Sequence, residues 1–95
     1  MHFQGQRFLT RGVQRLIPFE LQFFIWECID QLTEPNDYFQ VFRLTVQNGK
    51  QHIFHESEQP EYHKEYDIEI ANPITAKIYV IDDETYCTML LAEEY

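Results

Sequence analysis

The sequence predicts an α+β domain: an antiparallel sheet of five or six strands with one amphipathic helix packed on one face. Three observations lead there. Between residues 17 and 32 the apolar residues recur at helical spacing. After Tyr38 the chain breaks into short aromatic and β-branched stretches separated by turn residues. The links between those stretches are too short for parallel crossovers, which need a dozen residues or more, so the pairing should be antiparallel.

Gln6 to Thr10 is a short apolar stretch closed by Gly12 and is expected as an edge strand. Pro18 stands where a helix can begin, at a position whose missing N–H costs nothing. Ile17, Leu21, Phe24, Ile25, Cys28 and Leu32 then make one stripe, with Glu20, Glu27 and Gln31 on the other side, which predicts a helix over roughly residues 17–33. Pro35-Asn36-Asp37 ends it. Tyr38 to Gln47 is expected as a strand, Asn48-Gly49 as a two-residue hairpin turn and Gln51 to His55 as the return strand. That turn would set Leu44 against Ile53 and Arg43 against Phe54. Ser57 to Pro60 is expected as a loop. Glu65 to Ile70 alternates, with Tyr66, Ile68 and Ile70 on one face and Glu65, Asp67 and Glu69 on the other. Ala76 to Ile81 and Thr85 to Ala92 complete the strands, joined by the turn Asp82-Asp83-Glu84.

The chain has 95 residues, a length at which one domain over 1–95 buries roughly 65% of its unfolded surface. Its 44% apolar content, with eight Phe, six Tyr and one Trp, excludes disorder. No apolar run approaches the roughly 20 residues of a membrane span. Residues 1–6 lack the basic-then-apolar pattern of a secretory signal, so the cytoplasm is the expected compartment. Cys28 and Cys87 are expected as reduced, buried thiols. Sixteen acids against seven bases give a net charge of −9. Residues 1–50 hold five of each, and residues 51–95 hold eleven acids and two bases, so the imbalance sits entirely in the second half. Such a surface repels nucleic acid and anionic lipid and speeds encounter with basic partners.

Catalytic constellations are weak. His52 and His55, three apart on a strand, project to opposite faces and cannot grip one metal ion together. Cys28 lies on the apolar stripe, where a thiol behaves as a small buried hydrophobe. Three glycines make no phosphate-binding loop. Asp82-Asp83-Glu84 is better explained as a solvated turn than as a metal site. The aromatic residues Tyr38, Phe39 and Phe42 fit core packing better than base stacking, because flanking Lys and Arg are scarce. No enzyme, cofactor or metal is therefore expected. The one sharp feature is acidic: Glu56, Glu58, Glu61, Glu65, Asp67 and Glu69 crowd fourteen positions that contain one Lys. On a strand, alternate acids are spaced about 6.6–6.8 Å apart, a row comparable to phosphates along a nucleic-acid strand. The plainer alternative is the solvated outer face of a half-buried sheet.

Nearly the whole chain resembles a family of small proteins of unknown function from staphylococci, streptococci, enterococci and their mobile elements. The residues that carry the resemblance are Thr10-Arg11-Gly12-Val13, Ile17-Pro18 with Glu20-Leu21-Gln22, Trp26, Ile29-Asp30, Gln40-Val41-Phe42, Tyr62, and Lys64-Glu65-Tyr66. Pro73-Ile74-Thr75, Lys77-Ile78, Val80-Ile81-Asp82-Asp83 and the C-terminal block Thr88 to Tyr95 continue it, the last being the most specific. One branch is similar to type II-A anti-CRISPR inhibitors, which act on an RNA-guided effector nuclease, in some cases on guide-RNA loading. The resemblance implies a binding inhibitor from a phage or mobile element and supplies no catalytic residues.

RNA-guided nucleases hold nucleic acid in a basic channel, which an acidic domain could block. The expected function is therefore a non-enzymatic, nucleic-acid-mimicking inhibitor in the cytoplasm of the bacterial host. Its expected partner-binding residues are Glu56, Glu58, Glu61, Glu65, Asp67 and Glu69, with Asp82, Asp83 and Glu84 second. The alternative is a small interaction adaptor that uses an exposed apolar or aromatic patch, as a homodimer or with another protein.

Overall fold

The computed structural model describes residues 2–95, and its elements follow from local chemistry. A short strand, β1 (Gln6–Leu9), leads into helix α1 (Arg11–Leu16). Thr10 caps α1, its Oγ1 accepting from the Val13 amide at 3.3 Å. The residue before a proline is pushed out of the helical region, so Ile17 turns extended (φ −102°, ψ 121°) and α1 stops. Pro18 then starts α2 (Phe19–Asp30), its carbonyl accepting from Leu21 and Gln22. The sequence predicts one helix where there are two. Six residues containing Gly12 show too little periodicity to register as helical. Gly12 is tolerated because the 3₁₀ turn Ala92–Glu94 lies against it: a Cβ there would sit 2.6 Å from Glu94 Oε2.

The remaining strands are β2 (Phe39–Gln47), β3 (Lys50–Glu58), β4 (Glu61–Ile68), β5 (Ala76–Asp82) and β6 (Tyr86–Leu91). With β1 they form a six-stranded sheet in the order β1-β6-β5-β2-β3-β4. Asn48 (φ 54°) and Gly49 (φ 76°) both take the left-handed conformation that a tight hairpin with twisted strands requires. The register that follows sets Leu44 against Ile53 and Arg43 against Phe54.

Two expectations are corrected here. The sheet is only mostly antiparallel, because β1 pairs parallel to β6 (Gln6 with Tyr86). Link length governs sequence neighbours and says nothing about strands eighty positions apart. The expected loop at Ser57 to Pro60 is also strand as far as Glu58. Buried Asp37 holds that end of the hairpin: its Oδ2 accepts from the amides of Gln59 (2.9 Å) and Glu58 (3.3 Å).

Strand alternation divides the sheet into two faces. Phe42, Leu44, Ile53, Ile78, Val80, Met89 and Leu91 are buried in one cluster with Val13, Ile17, Leu21, Ile25, Cys28 and Ile29 of the helical segment. The Phe24 ring meets Tyr66 of β4 edge-on at 5.0 Å. The core runs along this inner face. The other face carries Phe39, Val41 and Arg43 of β2, Lys77, Tyr79 and Ile81 of β5, and the acidic residues of β3 and β4.

Candidate functional site: the open sheet face

The pairing of β3 with β4 decides where the acids go. His52, Phe54, Glu56 and Glu58 share a face because Gln51, Ile53, His55 and Ser57, their alternates, are buried. Register then sets Asp67 opposite His52, Glu65 opposite Phe54, His63 opposite Glu56, and Glu61 opposite Glu58. Glu56, Glu58, Glu61, Glu65 and Asp67 therefore occupy one face, and exposed Glu69 continues the row beyond β4.

Their electrostatics differ from one position to the next. Arg43 Nε donates to Glu56 Oε2 at 2.6 Å. The His52 ring bridges two acids, with Nδ1 2.8 Å from Asp67 Oδ1 and Nε2 2.9 Å from Glu65 Oε1. The hydrogen bond with Asp67 is the main cause that raises the His52 pKa above its ordinary value, and Glu65 adds to it. Lys50 Nζ stands 3.9 Å from Glu69. Glu58 and Glu61 have no ion pair or side-chain hydrogen bond among the described residues, and they face each other across the end of the hairpin.

Asp82, Asp83 and Glu84 do not join this row. They sit on the end of β5 and the turn after it, and strand β2 separates β5 from β3 and β4. The expected solvated turn is wrong for Asp82. It ends β5 on the inner face, is buried, and contacts His2 Nδ1 through Oδ2 at 3.0 Å. A strand residue opposite Cys87 must share the buried side of that pair, so Asp82 is not available to a partner. Asp83 and Glu84 are exposed at the β5–β6 turn.

The aromatic segment around β2 also differs from expectation. Phe42 is core, whereas Tyr38 is 53% exposed and Phe39 lies on the open face. Phe39 meets Tyr79 at 4.7 Å and Tyr95 at 5.4 Å, and Tyr95 meets Tyr79 edge-on at 5.5 Å. Lys77 Nζ stands 5.6 Å from the Tyr79 ring. These rings line a groove of about 630 Å³ that extends to Arg43, Glu56 and Glu58, so an aromatic floor adjoins the acidic row. Parity from the Asn48-Gly49 turn places Phe39 and Arg43 on the side opposite Phe42 and Leu44. That signal was available in the sequence. The contact of Tyr95 with Phe39 was not.

On the inner face, His55 is fully buried, its Nε2 2.7 Å from Gln40 Oε1 and its ring stacked on Phe42 at 4.1 Å. Burial pushes its pKa down to about 4, so the imidazole is neutral. Burial also pushes the Cys28 thiol up to about 11 and raises that of Cys87, leaving both as unreactive thiols at neutral pH. Among the described residues no group of three or more His, Cys, Asp or Glu is placed to hold a metal ion. No helix among them is long and apolar enough to cross a membrane.

Fold and face together define a small α+β domain with one sheet face turned outward, half acidic row and half aromatic groove. Residues 6–94 match the model of the family described as "Staphylococcal protein of unknown function (DUF960)", and the chain belongs to that family. It is also similar to the crystal structure of a protein of unknown function from Enterococcus faecalis. The two share 25% identity and a TM-score of 0.84 over 96% of this chain and 91% of the other. No match is found among functionally curated proteins.

Proposed function

We propose that this chain is a non-enzymatic binding inhibitor. It docks its open sheet face on the basic, nucleic-acid-holding groove of a type II-A RNA-guided effector nuclease in the bacterial cytoplasm and hinders guide-RNA loading. The observation that carries this reading is the shared face of Glu56, Glu58, Glu61, Glu65 and Asp67. Carboxylates in a row steer association with a cationic groove and compete with phosphates for the same side chains. Glu58 and Glu61 contribute most, since neither is spent on an internal cation. In the same reading the apolar stripe of α2 covers the inner face and leaves the outer one free as a docking surface.

The test is retention of purified effector nuclease by the immobilised chain, with and without guide RNA already bound. The expected result is retention of the RNA-free nuclease, lost in Glu58→Lys/Glu61→Lys/Glu65→Lys and weakened by salt. No retention in either state, or full inhibition by the triple variant, removes the proposal.

A second reading is supported by the groove formed by Phe39, Tyr79 and Tyr95: an interaction adaptor that binds through aromatic contact. Binding of that kind should change little with ionic strength, and Tyr79→Ala should abolish it while the acidic variants do not.

A further inference from the structure

Strand β4 (Glu61–Ile68) ends the sheet: it pairs with β3 and with no other strand. Its eight residues run for about 26 Å. The register with β3 is unbroken from Ile68 opposite Gln51 to Glu61 opposite Glu58, so the strand carries no bulge. Its residues include no proline, since Pro60 lies before it. Among the described residues, no hydrogen bond from outside the β3–β4 ladder reaches its backbone amides and carbonyls. A free edge of this length is a template for another strand, and proteins blunt such edges by shortness, a bulge, proline or charge. The opposite edge, β1, is short at four residues. On β4 only charge is present, in exposed Glu61, His63, Lys64, Glu65 and Asp67.

We infer that β4 is a docking edge for an extended segment of another protein, added as a seventh strand, whose basic residues alternate with apolar ones. On the open face the incoming strand meets Glu61, His63, Glu65 and Asp67. Glu61 has no ion pair among the described residues, and the single His52 ring shared by Glu65 and Asp67 offsets at most one of their two charges. Side chains directly opposite across a strand pair stand about 4.5–5.5 Å apart at Cβ, so Lys or Arg at alternate positions would pair with these acids. On the inner face the same strand meets half-buried Tyr62, Tyr66 and Ile68, which favour apolar neighbours. Exposed Lys64, its Nζ 6.0 Å from the Tyr66 ring, favours one acid at that position. These charges also exclude a second copy of β4. Antiparallel pairing with itself would set Glu65 against Glu65 or Glu61 against Asp67, and like charges directly opposite destabilise. The acids thus keep the edge from pairing with itself and select a basic strand. The inference shares these acids with the docking proposed above but requires neither nuclease nor guide RNA.

The probe is a short blocked peptide in which lysine and valine alternate, with glutamate in place of the central valine. Titrated into the isotope-labelled full chain, it should shift the amide resonances of Glu61–Ile68 and slow their hydrogen exchange, leaving those of β1 unchanged. Binding should weaken with salt, and about tenfold in Glu61→Lys/Glu65→Lys. Methylating the peptide's backbone nitrogens separates strand pairing from plain charge attraction. Alternate N–H groups of an extended peptide point to opposite edges, so one alternate set of methyl groups should abolish binding and the other should leave it. Unmoved β4 amides overturn the inference, as do two methylated peptides that bind alike, or equal binding of a scrambled peptide with adjacent lysines. Shifts in β4 that grow with the chain's own concentration, without peptide, also overturn it, because the edge would then hold a second copy. Retention of the nuclease is read separately, so either proposal can fail alone.

Discussion

His52 of β3 stands opposite Asp67 of β4, its Nδ1 2.8 Å from the carboxylate, while the other ring nitrogen reaches Glu65. The acidic face therefore contains an imidazole whose pKa stands above its ordinary value. With the folded pKa raised, the protonated form is favoured by folding. This contribution to stability is fully present below the unfolded value of 6.5 and is lost as pH rises through the folded pKa. The His52 ring resonances in an NMR titration should move at a pH above 6.5, and Asp67→Asn should lower that midpoint more than Glu65→Gln does.

His55 should behave in the opposite way. Its folded pKa of about 4 lies below 6.5, so the neutral ring stabilises the fold fully above pH 6.5. That contribution is lost as pH falls from 6.5 toward 4 and amounts to about 3 kcal/mol. Urea unfolding midpoints should decline across this window, with the His55 ring itself not titrating above pH 5 or so. Protonation of His55 near its ordinary value would show that the ring is not buried.

Glu58 and Glu61 oppose each other with like charge at the β3–β4 turn. Glu61→Lys should turn repulsion into attraction and stabilise the fold by about 0.2–1 kcal/mol, read by denaturant unfolding. The same change should weaken binding of a basic partner. A variant that is more stable and binds less well is what a surface selected for docking predicts.

The two sides of α2 should respond differently to truncation. Leu21 is fully buried, and Leu21→Ala should cost about 2–5 kcal/mol in denaturant unfolding. Phe23→Ala, at a position 57% exposed, should change the stability of the monomer by no more than about 0.5 kcal/mol. Equal costs at both positions would mean that the outward Phe23 is held by the fold itself.

Much of the architecture is legible in the chain. The Asn48-Gly49 turn sets the register of β2 with β3 because both residues accept positive φ. The alternation around Tyr66 and Ile68 puts Glu65 and Asp67 outward because its period matches the pleat. Helix α1 is harder to read: it is short, contains a glycine, and rests on contacts from the far end of the chain, where Thr10 Oγ1 donates to Glu94 at 2.6 Å. Asp82 reads as a turn residue because its neighbours are acidic, and only its place opposite Cys87 makes it inward.

The acids of the second half and the spacing that aligns them are properties of the sequence alone, since a strand puts alternate residues on one side whatever it pairs with. Which of those acids keep their charge free was decided by tertiary structure. Arg43 reaches Glu56, His52 reaches two carboxylates and Glu58 is left facing Glu61, because pairing brings together side chains that lie thirteen to fifteen residues apart or, at the hairpin end, only three. The parallel placement of β1 beside β6 and the meeting of Tyr95 with Phe39 also belong to the folded molecule. Contacts across such separations depend on how the whole core closes, and local preference does not encode them.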